Sequence, residues 1–588
     1  MASLWGEIKR RKVVQVAAVY AVVTWLLVQI VATVEAPLNL PDWFDTAVIV
    51  LLAVGFPIAV ILAWAFDLTP QGLVADRGNT QPTPQRSHKL EISLVTLLIV
   101  AVVWIGYREI FARPQAGPDR LPSSVAVLPL DNLSPDPDNA YFAAGIHDEI
   151  LNSLTKLRNL NVIARTSVLQ YANTEKTIPQ IGEELNVETV MEGSIRYASG
   201  RVRVTTQLID TMTGAHLWSE VYERDFDDIF AIQSDIAMNV ANALNANFSD
   251  EEQETLASIP TDSPVAYSLY LQGSPTSDIG STNTQRALEI LDQALAIDPD
   301  FAQAHGAKAW FHAQQLINTS TGSALDWETQ ERLVVESANR ALEKDPLDFN
   351  ANAALADVEL FAWRWDEAEE YFDRYFERTG HPDLYNIWLE SWRGQHGPAI
   401  ENAQLLVSLA PTAWDSQWAL GWAYLYAGEH DDAVRAFETG VSLAPANPLV
   451  HSLLAIAEVA RRNTEAAARE LELTEQILGD IRPLIFLLDI AYGYSLIGES
   501  EEAERITQEI LARAEAEDIG TGGWVVLNLT TGDEAAALQW LEAGVENART
   551  KTIDPSLFTL MNLRLNYIND PVLDKPEFVA LRNQLTSY

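Results

Sequence analysis

The sequence contains no cysteine. That single absence removes disulfides, thiolate nucleophiles, iron–sulfur clusters and cysteine-ligated zinc together. It leaves the compartment open, because disulfide-free proteins occur in all of them. Basic residues are also scarce: Lys and Arg number 39 against 82 Asp and Glu, a formal net charge of −43. Such a chain repels a phosphate backbone, which excludes nucleic-acid binding. The shortage is uneven. The first 120 residues carry 10 basic and 9 acidic side chains, and the rest carry 29 and 73. A nearly neutral front therefore precedes a strongly acidic body. Apolar residues make up 48% of the 588, ample for packed cores rather than wholesale disorder. Length alone suggests about three to five domains.

The front, residues 1–112, reads as a membrane anchor of three transmembrane helices. Val13–Val34 and Thr46–Phe66 hold 22 and 21 residues without a charge, and a bilayer core needs about 20 helical residues. Ile92–Tyr107 holds 16, and Lys89 and Arg108 at its ends can snorkel. Lys9, Arg10, Arg11 and Lys12 precede the first span, while the loop 35–45 has no Lys or Arg and the loop 67–91 has Arg77, Arg86 and Lys89. The positive-inside rule then places the N-terminus in the cytoplasm and, after three crossings, the acidic body outside it. No span has an ionisable residue in its interior, so the pattern is that of an anchor rather than an ion path. Gln15, Thr24 and Gln29 read as helix–helix hydrogen-bonding groups. Residues 113–123 (RPQAGPDRLPS) form a Pro- and Gly-containing linker.

The periodicity then changes. Val125–Leu128 and Val162–Ala164 read as short strands, Tyr141–Leu154 and Ile178–Leu185 as helices, and Thr189–Tyr197 with Arg201–Asp210 as a hairpin across Ala198-Ser199-Gly200. Ala215–Tyr222 adds a further strand and Ile229–Leu244 a closing helix. The adjacent His147, Asp148 and Glu149 diverge in direction and read as a solvated helix face rather than a catalytic cluster. Asp131, Asp136 and Asp138 lack the central Gly and distal Glu of a calcium loop, so they read as a turn with Asx caps. The segments SVAVLPLDNLSPDPDNAYFAAGI (124–146), VIARTSV (162–168), ELNVETVMEGSIR (184–196) and VRVTTQLIDTMTGAHLWSEVYERDFDDIFAIQSDIA (202–237) resemble the TolB amino-terminal-like (FlgO-type) domain over about 120 residues, assigned here to 124–250. Ala144 stands where relatives often carry an acidic residue. The resemblance implies kinship with the sensory half of membrane-bound transcription regulators and class III adenylate cyclases, in which a cytoplasmic effector precedes the span. Here only about 12 residues precede the first span, which implies that an output module, if any, is a separate protein.

Residues 264–588 are helical and repetitive. LGWAYLYAGEHDDAVRAFETGVSLAP (420–445) places Leu420, Gly421, Tyr424, Gly428, Ala433, Phe437 and Pro445 at tetratricopeptide-repeat spacings, and it resembles that family. Small residues at 421 and 433 let two antiparallel helices approach while Phe437 fills the seam. Ala399, Ala433 and Ala467 are 34 residues apart, as are Pro411 and Pro445. Ala287, Leu291, Ala294 and Pro299 mark an earlier unit, Leu355, Ala356, Ala368 and Phe372 another, and Ala491, Tyr494, Gly498 and Ala503 a later one. Gly532 opens a degenerate final unit, and 570–585 reads as a capping helix. Seven or eight repeats would stack into an all-α solenoid with one continuous core. The family implies a concave groove lined by the first helix of each repeat. Trp388, Trp392, Trp418, Trp422 and Tyr426 fall at groove positions of two repeats. They read either as a binding patch or as packing between helices.

The fold class expected is thus N-terminal transmembrane helices, a small α/β domain and a tetratricopeptide-repeat solenoid. The function expected is a non-enzymatic scaffold or sensor, anchored in the bacterial inner membrane, that binds a protein or a basic or amphipathic peptide in its groove. No catalytic, metal or cofactor residues are assigned. Two alternatives stay open: an accessory component of adenylate-cyclase-like or transcriptional signalling, and an envelope assembly factor.

Overall fold

The computed structural model describes residues 120–586 with interruptions at 136–139, 158, 245–258, 276–282, 318–326, 515–516, 518, 552–555 and 566–569, and before that residues 20, 23, 24, 66–69 and 72–75. Two compact units result, 1–114 and 115–588. In the first, β1 (Phe66–Thr69) and β2 (Gly72–Ala75) pair as an antiparallel hairpin. Phe66, read as the last residue of the second span, is thus a strand residue. The three expected spans otherwise lie outside the described residues, apart from helical Tyr20, Val23 and Thr24. Among the described residues no helix is long and apolar enough to cross a membrane.

The second unit begins with a mixed sheet. β3 (Leu121–Val127) starts inside the segment read as linker, because Leu121 N–H donates to Asn186 O at 3.0 Å and brings the chain into the sheet early. β3 lies parallel to β5 (Asn161–Val162) on one side and to β6 (Val187–Ala198) on the other. β4 (Asp131–Asn132) adds a short parallel pairing with β6 inside the stretch read as a turn. Asp131, read as an Asx cap, is instead the first residue of β4, and an Asx turn forms at Asn132, whose Oδ1 accepts the Ser134 N–H at 3.0 Å. Asp136 and Asp138 lie outside the described residues. β6, β7 (Arg201–Asp210) and β8 (His216–Asp225) follow as antiparallel neighbours. The β6–β7 turn sits at Ser199 and Gly200, with φ of 55° and 77°, the left-handed pair that a two-residue hairpin needs.

Alternation along β7 sends Val202, Val204 and Leu208 to one face, where α1 (Ala140–Thr155) and α3 (Ile229–Ala243) cover them with Phe142, Ile146, Ile150, Ile232 and Ile236. The opposite face, with Ala126, Val187 and Val190, is closed by α2 (Ile178–Glu184) through Ile181. Gly193 lets β6 and β7 close: a Cβ there would stand 2.3 Å from the Thr205 carbonyl oxygen, a backbone atom that cannot swing away. Gly193→Ala is expected to cost about 1–3 kcal/mol, read as a lower urea midpoint of the full chain. An unchanged midpoint would refute the close approach.

The remainder is a succession of antiparallel helix pairs. The first pair is α4 (Pro264–Gly273) with α5 (Thr284–Ile297), the second α6 (Ala302–Ile317) with α7 (Trp327–Leu342), and the third α8 (Phe349–Phe361) with α9 (Trp365–Thr379). Next come α10 (Leu384–Trp392) with α11 (His396–Leu409), α12 (Trp414–Ala427) with α13 (His430–Leu443), and α14 (Pro448–Ala460) with α15 (Thr464–Leu478). Then follow α16 (Leu484–Ile497) with α17 (Ser500–Arg513), and α18 (Gly520–Thr531) with α19 (Glu534–Thr550). α20 (Leu557–Leu565) and α21 (Pro576–Arg582) finish the array. Ala399, Ala433 and Ala467 are all fully buried at the same station of successive second helices, as the 34-residue spacing requires. The turn within each pair from α8–α9 to α18–α19 has one left-handed residue. Gly394, Gly428, Gly498 and Gly532 supply it, and Trp363 and Arg462 do so without glycine.

The two parts share a core. Side chains of α1 and α3 pack in one cluster with Tyr267, Tyr270 and Leu271 of α4 and with Phe301 and Phe311. Farther along, Ala164 N–H donates to Leu409 O at 2.8 Å, and Thr412 bonds Ser167 through its N–H (3.3 Å) and its hydroxyl (3.2 Å). The α/β domain is therefore docked against both the first and the middle helix pairs.

Candidate functional site

The five groove candidates come together. Trp388 and Trp418 meet edge to face with ring centres 4.9 Å apart, and Trp422 stacks on Tyr426 at 4.9 Å. Trp392 Nε1 donates to the Tyr426 hydroxyl at 3.4 Å, joining the two repeats across their 34-residue offset. All sit on first helices of their pairs, α10 and α12. Trp388, Trp392, Trp422 and Tyr426 are buried, and Trp418 is half-buried.

One of them is tied to the chain's own end. The Tyr426 hydroxyl donates to Asn562 Oδ1 on α20, and Tyr492 on α16 donates to Asp570 Oδ2 at 2.5 Å. Burial pushes the Tyr426 hydroxyl well above its ordinary pKa, so it stays a neutral donor. First helices two repeats apart, α12 and α16, are thereby tied to the C-terminal segment, and Trp418 is the one of the five candidates that keeps partial access to solvent.

The cluster extends further than the sequence reading took it. Trp365 lies 6.2 Å from Trp392, Trp363 stacks on Trp365 at 5.8 Å, Tyr385 meets Trp388 at 5.1 Å, and Trp414 lies 6.1 Å from Trp418. Two of these were within reach of periodicity: Tyr385 and Trp414 stand three and four residues before Trp388 and Trp418 on the same helical faces. Trp363 and Trp365 flank a turn, and no helical spacing announces them.

The reading of His147, Asp148 and Glu149 as a solvated face is corrected. They are 2%, 8% and 7% exposed. His147 Nε2 donates to the Val127 carbonyl of β3 at 2.9 Å. Asp148 Oδ1 accepts from Arg165 Nε at 2.6 Å, and Gln303 Nε2 of α6 stands 3.4 Å from Glu149 Oε2. The helix is covered by the sheet on one side and by the solenoid on the other. Burial is also what raises the Glu149 carboxyl above its usual range, against the lowering pull of Lys156.

Comparison with known proteins gives three findings. Residues 419–479 match a tetratricopeptide-repeat family model. A protein of Rhizobium meliloti (strain 1021), named "Putative adenylate cyclase 3", is 36% identical over 255 residues, which is 43% of this chain and 43% of that protein, so the chain spans less than half of the relative's length. Among solved structures, the human IFIT1 dimer is 14% identical, covering 61% of this chain and 80% of its own with a TM-score of 0.36. A tetratricopeptide-repeat protein of Parabacteroides merdae ATCC 43184 is 14% identical, covering 44% and 99%, with a TM-score of 0.30. The chain carries a tetratricopeptide-type helical solenoid and a small α/β domain.

Proposed function

We propose that this chain is a non-enzymatic recognition scaffold whose solenoid binds a protein partner through its first-helix face. The observation that carries the reading is the convergence of Trp388, Trp392, Trp418, Trp422 and Tyr426 on adjoining first helices, with Trp418 half-buried at its margin. Large aromatics at a partly desolvated site are the usual anchors of protein–protein contacts. The acidic composition, net −43, favours a basic or amphipathic partner segment. The α/β domain is assigned to the TolB amino-terminal-like (FlgO-type) class on the segments that resemble it. The three apolar stretches before residue 112 support an inner-membrane anchor with a cytoplasmic N-terminus and the acidic body outside.

A second reading rests on the relative named as an adenylate cyclase. In it, the chain is an accessory component of a cyclase-type signalling system, recruiting the effector rather than containing it.

The test is photo-crosslinking in living cells from position 418 of the full-length chain, followed by binding of the captured protein to purified full-length variants. Trp418→Ala is expected to weaken that binding by roughly tenfold or more, while Trp540→Ala, on α19 and remote from the cluster, leaves it unchanged. Equal binding by both variants would overturn the groove assignment. A C-terminal alkaline phosphatase fusion is expected to be active, and an inactive phosphatase beside a fluorescent cytoplasmic reporter fusion would overturn the topology.

A further inference from the structure

A cavity of about 400 Å³ lies where the α/β domain meets the solenoid, a volume within the range of small-molecule sites. Asp148 and Glu149 of α1, Arg165 just after β5, and Asp383, Asp415 and His381 of the solenoid line it. Tyr270, Leu271, Phe349, Tyr375 and Pro382 supply apolar and aromatic wall. Four carboxylates therefore face one guanidinium.

The partners of these carboxylates compensate only part of their charge. Asp148 gives one oxygen to Arg165, but its Oδ2 accepts no hydrogen bond although the residue is only 8% exposed. Asp383 Oδ1 accepts the Tyr385 N–H at 2.8 Å and Asp415 Oδ1 the Ser416 N–H at 2.9 Å. The first caps α10 and the second lies within the first turn of α12, and neither brings a positive side chain. Glu149 receives a neutral amide from Gln303, and Lys156 is the cation whose field reaches it. Burying anionic groups without full compensation is costly, and a cation entering the cavity would relieve it. In keeping with this, burial raises the Glu149 and Asp415 carboxyls above their ordinary range and pushes Asp383 up to about 6.

The chemistry of the wall selects the kind of cation. Among the described residues no three His, Asp or Glu side chains are grouped to hold a metal ion. Tyrosine and phenylalanine faces suit an organic ammonium, which they attract through the ring quadrupole. The carboxylates come from two domains, Asp148 and Glu149 from one and Asp383 and Asp415 from the other, so a ligand with a positive charge at each end would satisfy both. We propose that this cavity binds a small aliphatic diamine of the polyamine class, with one ammonium at Asp148 and Glu149 and the other at Asp383 and Asp415. Binding would then fasten the α/β domain to the solenoid. The cavity adjoins Tyr385 and Trp414 but is lined by none of the five groove candidates, so the proposal does not depend on what the solenoid recruits.

Calorimetric titration of the full-length chain with putrescine tests this, with butanediol as the uncharged isostere and magnesium chloride as the compact dication. Saturable one-site binding of putrescine is expected, without competition from either control. Asp383→Asn removes a cavity charge and keeps a good helix cap, so it is expected to fold normally and to lower affinity by roughly tenfold or more. Glu149→Gln is expected to do the same from the other domain, which keeps the test decisive should one variant fold poorly. Asp431→Asn, on the surface of α13, is expected to change nothing. The proposal is overturned by an absence of saturable binding, by equal competition from magnesium, or by cavity variants that bind as the parent chain does.

Discussion

Phe437→Ala is expected to destabilise the solenoid by about 3–5 kcal/mol, the usual cost of emptying a large aromatic site that cannot collapse. Phe437 is fully buried in α13, inside the long cluster that runs through the middle and last helix pairs. Its ring fills the space that a side chain at 421 would need: a Cβ on Gly421 would stand 2.4 Å from Phe437 Cε1. Gly421→Ala alone is accordingly expected to cost about 1–3 kcal/mol through overpacking. The two changes should not add. With the ring gone the added methyl has room, so Gly421→Ala is expected to be nearly neutral in the Phe437→Ala background, a coupling of the kind that touching residues show. Urea unfolding followed by far-ultraviolet circular dichroism reads all four corners of the cycle. Simple additivity would show that the helices of this pair do not meet as described.

The second large effect is a dependence on pH opposite to that of most proteins. Asp348 is 3% exposed, and burial pushes its carboxyl up to about 7, although its Oδ1 accepts the Ala351 N–H at 2.8 Å as a helix cap. Burial likewise pushes Asp383 up to about 6 and raises Glu149. A carboxyl with a raised folded-state pKa holds a proton that the unfolded chain has released. Stability therefore falls as pH rises from about 4 to about 7, and is flat beyond that. Burial lowers the His381 pKa, which acts in the other direction: its contribution is present above about 6.5 and is lost as pH falls and the unfolded chain takes up the proton. The three carboxyls outweigh the one histidine, so the net expectation is a fall in stability from about pH 4 upward, with a loss of about 2 kcal/mol between pH 6 and pH 8, read as a lower unfolding midpoint. Asp348→Asn keeps the cap and discards the titration, so it is expected to raise stability at pH 8 and flatten the slope. A midpoint that rises from pH 6 to pH 8 would contradict the burial of these groups.

Much of the architecture was legible in the sequence, for physical reasons that differ by region. The 34-residue spacing of Ala399, Ala433 and Ala467 marks stations where two helices touch, and only a small side chain satisfies that contact. Gly421 and Phe437 announce their own partnership because one must be absent for the other to fit. Alternation at Val202, Val204 and Leu208 gave the buried face of β7, and Ser199-Gly200 gave its turn. By contrast, β4 is two residues long, too short for any period. The burial of His147, Asp148 and Glu149 was hidden because an amphipathic pattern shows which residues a helix keeps from water within its own domain, not what a second domain later covers. The same holds for Asn562 and Asp570, which reach Tyr426 and Tyr492 across 136 and 78 residues. Of the aromatic cluster, the repeat offset gave five members, and Trp363 in a turn and Trp365 at the first position of α9 lay outside any helical spacing.

The cavity, the buried acidic face and the corrected reading of α1 all depend on the α/β domain being docked in the solenoid. The absence of native cysteine makes this directly measurable. Ser167 and Thr412 touch through both backbone and hydroxyl groups across the junction. In the Ser167→Cys/Thr412→Cys chain, mild oxidation is expected to close one intramolecular disulfide in nearly every molecule, seen as a linked 167–412 peptide pair by mass spectrometry. Two thiols that stay free and alkylate at the rate of either single variant would contradict the docked arrangement.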